Sequence, residues 1–260
     1  MVKGRSWLNE AIYTALNIIL AVAILVVIRF TDSILLGMLL FLLSKWRVLA
    51  VRPRFWFVNI QANLVDIIVG LSYVLTLFAI NAAPIEDVRQ IVLLSLTALL
   101  YIGWLLLLKP KSKRIYVVVQ AGVALLLGVS TLFSISFAWP VSVVVLIMWL
   151  IGYATARHAL SSYDESHLLL MSLICGLALA EIGWVAYHWT IAYAIPFTDE
   201  LLLPQVGVIA LLLGFVGYKA YDSFHHHQKI RPIDIILPTL FSVSVVIVLL
   251  IFFNSSGSAI

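Results

Sequence analysis

KWRVLAVRPRFWFVNIQANLVDIIVGLSY, residues 45–73, joins a short basic and aromatic segment to an apolar helix that carries amides and one carboxylate. Cations and aromatic side chains alternate along its first half, and Pro53 predicts an extended backbone at Arg52. From Asn59 onwards the chain is apolar enough to enter a bilayer. The junction therefore predicts a membrane protein, with the basic part at the cytoplasmic surface.

The composition of the whole chain indicates the same class. Of its 260 residues, 63% are hydrophobic and 11% are charged, whereas soluble domains carry about 25% charged residues. Most apolar runs reach the roughly 20 residues that cross a bilayer, and in lipid such segments must be helical because their backbone has no water to bond. We predict an all-α transmembrane bundle, a single integral membrane domain over residues 1–260 with no soluble domain.

Nine apolar spans can be placed along the chain. They cover residues 9–29, 33–51, 59–81, 89–108, 115–134, 138–156, 168–194, 201–219 and 234–253. The second is the weakest, because Ser33 to Ser44 offers only 12 uncharged residues, about 18 Å of helix. It crosses only if Lys45 and Arg47 extend their charged ends towards the surface; if it is re-entrant, eight spans remain.

The basic residues orient the bundle. With nine spans and a cytoplasmic amino terminus, 14 of the 16 Lys and Arg residues lie inside and only Arg29 and Arg89 lie outside, as the positive-inside rule expects. With eight spans the count becomes 13 against 3, and the amino terminus moves outside. Both arrangements place the carboxyl terminus outside.

The amino-terminal apolar run is interpreted as a retained signal anchor in the cell membrane. It continues through Ile28, beyond an Ala21-x-Ala23 pattern that resembles a cleavage site. The single cysteine, Cys175, lies within another apolar run, so we expect a small buried hydrophobe there.

Several functional classes find no support in the residue patterns. The formal charge of +4 comes from short loops rather than from a basic face, so no nucleic-acid partner is expected. There is no phosphate-binding loop, zinc-protease motif or nucleophile elbow, which favours a non-enzyme and no cofactor. His225, His226 and His227 match no zinc spacing, and no metal site is predicted.

Two acids lie inside predicted spans, Asp66 and Glu181. An ionisable group in a span costs about 2.5–3.5 kcal/mol at the helix centre, so each is a functional hypothesis. By helical spacing Asp66 shares a face with Asn63 and Tyr73, and Glu181 shares one with His188.

The depths of these groups predict two tiers. At about 1.5 Å per residue, Asp66 and Gln120 lie roughly 8–12 Å from the inner boundary and Glu181 roughly 20–23 Å. The two acids are then about 10 Å apart along the membrane normal, as successive stations on a proton or cation path would be. In the alternative, each is structural, with a protonated Glu181 bonded to Ser130 or Tyr73.

Two sets of candidate site residues follow. The intramembrane polar candidates are Asn63, Asp66, Gln120, Glu181 and His188. Candidates for lipid head groups or other anions are Arg47, Arg52 and Arg54, because the guanidinium fork suits phosphate and each cation near an anionic surface contributes about 1 kcal/mol.

Three functions from different classes remain open. The first is a small permease or ion-coupled carrier, with Asp66 and Glu181 as coupling groups and Asn63 and Gln120 as inner ligands. The second is a non-catalytic scaffold or assembly subunit with a membrane-protein partner. The third is a lipid-modifying membrane enzyme that uses Arg52, Arg54 and Asp66. All three involve the bilayer and its anionic head groups at the cytoplasmic face as partners.

Overall fold

The computed structural model describes residues 7–136, 138–163, 165–189, 192–194 and 202–252. Its helices are α1 (Trp7–Thr31), α2 (Ile34–Ser44), α3 (Trp46–Leu49), α4 (Trp56–Ala82), α5 (Asp87–Gly103), α6 (Arg114–Ile135), α7 (Val141–Leu160), α8 (Leu168–His188), α9 (Gln205–His227) and α10 (Pro232–Phe252). A π-helical turn, Trp104–Leu108, continues α5, and 3-10 turns at Pro53–Phe55 and Ser161–Tyr163 precede α4 and follow α7. Eight helices in the described part are long and apolar enough to cross a membrane. The prediction of an all-α chain with several membrane-spanning helices is confirmed at that level.

One predicted span is too long at its carboxyl end. The span 168–194 ends as a helix at His188, and Ala192–Ala194 instead forms β1, which pairs antiparallel with β2, Leu202–Pro204. Hydropathy alone does not distinguish a short apolar strand from the end of a buried helix. The next predicted span, 201–219, is displaced towards the amino terminus, because α9 starts at Gln205 and continues to His227.

The chain divides into two compact units, Met1–Gln120 and Ala121–Ile260. Unit 1 contains α1 to α5 and the first turns of α6. Unit 2 contains the rest of α6 and α7 to α10. The single membrane domain over residues 1–260 stays a prediction.

In unit 1, α1 and α4 run in the same direction. The Tyr73 hydroxyl donates to the Ala21 carbonyl over 2.9 Å, and Arg29 Nη1 donates to Asn81 Oδ1 over 3.0 Å. Both pairs join residues 52 positions apart, so position rises along both helices together. Two neighbouring parallel helices require a returning segment between them.

That returning segment begins with α2. Gly37 lies against Val74, and Phe41 lies against Gly70, so α2 runs antiparallel to α4. With 11 residues, α2 is only about 16 Å long, and α3 and a 3-10 turn continue the chain to the start of α4. The predicted span 33–51 is therefore not one helix.

The Arg29 end of unit 1 is held by the Gln90 side chain. Gln90 Oε1 accepts from Arg29 Nη1 over 2.6 Å, and its Nε2 donates to the carbonyls of Ile80 and Asn81 over 3.0 and 2.9 Å. Because Gln90 is buried, these bonds satisfy an amide that water does not reach. One side chain thus joins the ends of α1 and α4 to the start of α5.

Unit 2 contains a closely packed pair of helices, α7 and α8. A Cβ added to Gly152 would lie 2.8 Å from the Leu179 Cβ, and one added to Gly183 would lie 2.6 Å from the Met148 Cγ. Glycines let the two backbones approach, which in a membrane gives van der Waals contact that lipid cannot replace.

The other helices of unit 2 are joined by α9. A Cβ at Gly207 would meet the Ser130 hydroxyl of α6. At the opposite end of α9, Ser223 Oγ donates to Asp234 Oδ2 over 2.6 Å and accepts from the Arg231 backbone N–H over 3.0 Å. The hydroxyl therefore fixes the turn between α9 and α10.

The contact between Phe41 and Gly70 yields a prediction. The Phe41 ring is fully buried, and a Cβ at Gly70 would lie 2.0 Å from the ring Cε2. Gly70→Ala should therefore displace α2 and lower the thermal stability of the purified protein, since overpacking costs about 1–3 kcal/mol. Gly103→Ala is the matched control, because no atom lies within 4 Å of its added Cβ. Equal losses of Tm in both variants would contradict this packing.

Candidate functional site

Asp66 on α4 is a buried carboxylate, with only 8% of the residue exposed. Its Oδ2 accepts from Lys45 Nζ over 2.6 Å and from Lys109 Nζ over 2.9 Å. Its Oδ1 accepts from Trp104 Nε1 over 3.4 Å. We call Lys45, Asp66 and Lys109 the lysine–aspartate cluster, and the end of unit 1 that holds it the basic end.

Lys45 enters the cluster from the C-cap of α2. Its ammonium lies 5.0 Å from the centre of the Phe41 ring, and its side chain is 13% exposed. The condition under which residues 33–51 would cross as one helix, that Lys45 extends its charge to the surface, is not met, because Lys45 is bonded to Asp66.

Lys109 enters the cluster from the π-helical turn. Its backbone N–H donates to the Trp104 carbonyl over 2.8 Å, a hydrogen bond that closes after five residues instead of four. Residues five apart in such a turn lie on the same side of the helix. The side chains of Trp104 and Lys109 therefore both reach Asp66. Such turns are frequent at functional sites.

Two predicted polar candidates, Gln120 and Asn63, donate hydrogen bonds to backbone carbonyls at this end of unit 1. Gln120 Nε2 donates to the carbonyls of Leu108 and Lys111 over 2.7 and 2.9 Å, which fixes the loop that carries Lys109. Asn63 Nδ2 donates to the carbonyl of Asn59, one turn earlier in its own helix, over 2.7 Å. Their bonds indicate structural roles, and a role as inner ligands stays a prediction.

The cluster carries more positive than negative charge. Two ammonium groups share one carboxylate oxygen, so the three side chains sum to +1 when all are ionised. Asp66 Oδ2 already accepts from two lysines, so it is poorly placed to take up a proton from a relay. The arrangement favours holding an anion over relaying protons.

The predicted anion-binding arginines all lie on the surface of the basic end. Arg47 in α3, and Arg52 and Arg54 around Pro53, are exposed. The Arg54 guanidinium lies 4.6 Å from the Phe55 ring centre, and Arg52 has the extended backbone that the following proline predicts (φ −57°, ψ 137°). Their binding to lipid head groups stays a prediction.

Glu181 has a different environment, on α8 in unit 2. It is exposed and shares a face with Trp184 and His188 as the spacing predicts, and those two rings pack edge to face at 5.3 Å. The alternative bond between Glu181 and Ser130 is not formed, because the buried Ser130 hydroxyl has no partner among the described residues. The bond between Glu181 and Tyr73, which lies in unit 1, stays a prediction.

Cys175 on α8 is also exposed, so the expectation of a buried thiol is wrong. Periodicity shows which residues share a helix face, but it does not show what covers that face. Both Cys175 and Glu181 lie on a face of α8 that the described residues of unit 2 leave open.

A polar network surrounds the end of α9 in unit 2. The Tyr163 hydroxyl donates to Asp222 Oδ1 over 2.7 Å, and the Tyr221 hydroxyl donates to Glu165. The hydrogen bond from Tyr221 holds the pKa of Glu165 below its ordinary value. An open cavity of about 280 Å³ is lined by Lys219, Asp222, Ser223, His226, His227 and Asp234. Within the described ranges, no three His, Cys, Asp or Glu residues are placed to hold a metal ion.

Neutralising Asp66 tests its structural role. Asp66→Asn leaves two partly buried ammonium groups without their counter-ion, and breaking a buried ion pair costs about 3–5 kcal/mol. We expect a large drop in stability, measured by denaturant titration in detergent. Glu86→Gln is the control, because its pair with Arg89 is exposed and worth about 0–1 kcal/mol. A stable Asp66→Asn protein would contradict the structural role.

The comparisons with known proteins give no family for this chain: no family model, curated protein or solved structure matches it. Its function therefore has to be inferred from the contacts and charges of its own side chains.

Proposed function

We propose that this integral membrane protein works as a non-catalytic assembly subunit whose α8 docks a transmembrane helix of a partner protein. The observation that carries the proposal is Glu181. It is an ionisable side chain, exposed on an apolar helix of spanning length, and it has no hydrogen bond or ion pair to any described residue of unit 2.

The depth of Glu181 makes its exposure costly. It lies about 20 Å along α8 from Leu168 and about 10 Å from His188, which is well inside a hydrocarbon core of about 30 Å. An acid at such a depth costs about 2.5–3.5 kcal/mol and normally faces protein or water. A donor from another chain would remove that cost.

The neighbours of Glu181 support a helical partner. Leu177, Trp184 and Val185 are exposed around it, so the acid sits within a large apolar face. A partner helix with a Lys, Arg or amide side chain at the same depth would bond the carboxyl, at about 0.6 to 2 kcal/mol for each interhelical hydrogen bond. The apolar side chains would supply the packing area.

The other two functions receive less support from the geometry. A carrier that couples through Asp66 needs a carboxylate that exchanges ions, whereas two lysines hold Asp66 in closed contact. A lipid-modifying enzyme that uses Asp66 needs that carboxylate free to act as a base, and Lys45 and Lys109 occupy it. Transport and lipid chemistry both stay predictions.

For the topology we propose nine crossings, with a cytoplasmic amino terminus and an outer carboxyl terminus. The second crossing in chain order is composite, because it is made of α2, α3 and the following 3-10 turn. Its support is the parallel course of α1 and α4, which requires one return between them. The excess of Lys and Arg in alternate loops supports the direction.

Cysteine labelling tests this topology. In a Cys175→Ser background, Trp7→Cys and Phe30→Cys place thiols at the two ends of α1, at positions that are equally exposed in the native chain, 82% each. In sealed vesicles with the cytoplasmic face inside, an impermeant maleimide should label Phe30→Cys and spare Trp7→Cys until detergent is added. The reverse pattern would contradict the proposal and favour eight crossings.

Glu181→Leu tests the docking surface. When the tagged protein is purified from its native membrane in mild detergent, we expect the wild type to migrate above its monomer mass of 28.9 kDa with a stoichiometric partner. Glu181→Leu should lose most of that complex, and Glu181→Gln should keep part of it because an amide still hydrogen-bonds. The control is Ser244→Leu, a change of similar kind on α10. A monomeric wild type, in detergent and after cross-linking in the membrane, would overturn the proposal.

A further inference from the structure

We infer that Lys109 and Lys45 form a binding site for a phosphate group, and that its occupant is the head-group phosphate of an anionic phospholipid. The site lies in unit 1, so the inference is independent of docking at α8 in unit 2. It rests on three features of the basic end: its unbalanced charge, the access to Lys109 and the aromatic side chains around it.

The first feature is the charge that Asp66 leaves unbalanced. Both ammonium groups donate to the same oxygen, Oδ2, so one carboxylate faces two cations. An ammonium group has three donors, and the described contacts of each lysine with a hydrogen-bond acceptor use one of them. A partly buried cation with spare donors is stabilised by an anion that accepts from it.

The second feature is that the two lysines differ in access. The Lys45 side chain is 13% exposed, whereas that of Lys109 is 32% exposed. Lys109 is therefore the more accessible of the two cations for a phosphate oxygen, and Lys45, which shares Asp66 Oδ2 with it, adds positive potential beside it.

The surroundings of the cluster extend that potential. The segments around it, residues 45–54 and 109–114, contain six more cations, Arg47, Arg52, Arg54, Lys111, Lys113 and Arg114. These segments contain no acid; the other acids of residues 33–114, Glu86 and Asp87, lie where α5 begins, at the Arg29 end. A surface with this balance attracts polyanions and anionic membranes.

The third feature favours a lipid over a free phosphate ion. Trp46, Phe55, Trp56 and Phe57 are exposed in the same segment as the arginines. Exposed tryptophan and phenylalanine beside cations are typical of a chain lying at the level of the lipid head groups. A phosphate that approaches Lys109 from this side belongs to a molecule whose acyl chains lie along those rings.

The test uses the purified full-length protein in detergent. Phosphatidylglycerol or phosphatidylcholine is added, and retained lipids are counted by native mass spectrometry while Tm is recorded. We expect the wild type to retain phosphatidylglycerol selectively and to gain Tm from it. Lys109→Gln should bind that lipid on the order of fivefold more weakly and remain folded, because Lys45 still pairs with Asp66.

Lys229→Gln is the matched control. Lys229 is an exposed lysine between α9 and α10 in unit 2, so its loss removes the same charge elsewhere and should leave selective binding unchanged. A second arm replaces the lipid with inorganic phosphate, compared with chloride at equal ionic strength. We expect little gain in Tm from inorganic phosphate.

Each opposing outcome has a defined meaning. Equal retention of the two lipids by the wild type would overturn the inference. This outcome needs no variant, so the test still works if Lys109→Gln fails to fold. An equal loss of binding in Lys229→Gln would reduce the effect to overall charge and would also overturn it. Stabilisation by inorganic phosphate as large as that by phosphatidylglycerol would assign the site to a free anion instead.

Discussion

The pairing of one buried carboxylate with two lysines is the constraint on which the basic end of unit 1 depends. Removing charges from water is costly unless they are paired and hydrogen-bonded. Asp66 therefore brings together the end of α2, the middle of α4 and the π-helical turn after α5. None of these elements can move away without leaving an ammonium group or the carboxylate unsatisfied.

This pairing also accounts for the length of α2. A helix of 11 residues cannot cross a hydrocarbon core, and a lysine at its end would lie at a depth where an unpaired charge is disfavoured. Asp66 accepts that charge at the same level of unit 1. The helix can then end at Ser44, and the chain continues through α3 and the 3-10 turn at a surface rich in arginine and exposed aromatic side chains.

The sequence predicts much of this architecture, but not the cluster. The lengths of the apolar runs predict most of the long helices, because a bilayer tolerates few other structures. The partners of Asp66 were missed because Lys45 and Lys109 are 21 and 43 positions away, and hydropathy assigns lysines to water. The π-helical turn that aims Lys109 has no signal in composition or spacing.

Asp66 and Glu181 show why the residue type alone does not determine the role of an acid in a membrane. Asp66 has more positive charge around it than it can balance, whereas Glu181 has no donor within the described chain. Each acid thus indicates which kind of group would complete its surroundings. The excess positive charge at Asp66 would be balanced by an oxyanion, and the exposed carboxyl of Glu181 would be satisfied by a hydrogen-bond donor on another helix. Since one satisfied contact cannot replace the other, the lipid binding proposed at unit 1 and the protein binding proposed at α8 can be tested separately.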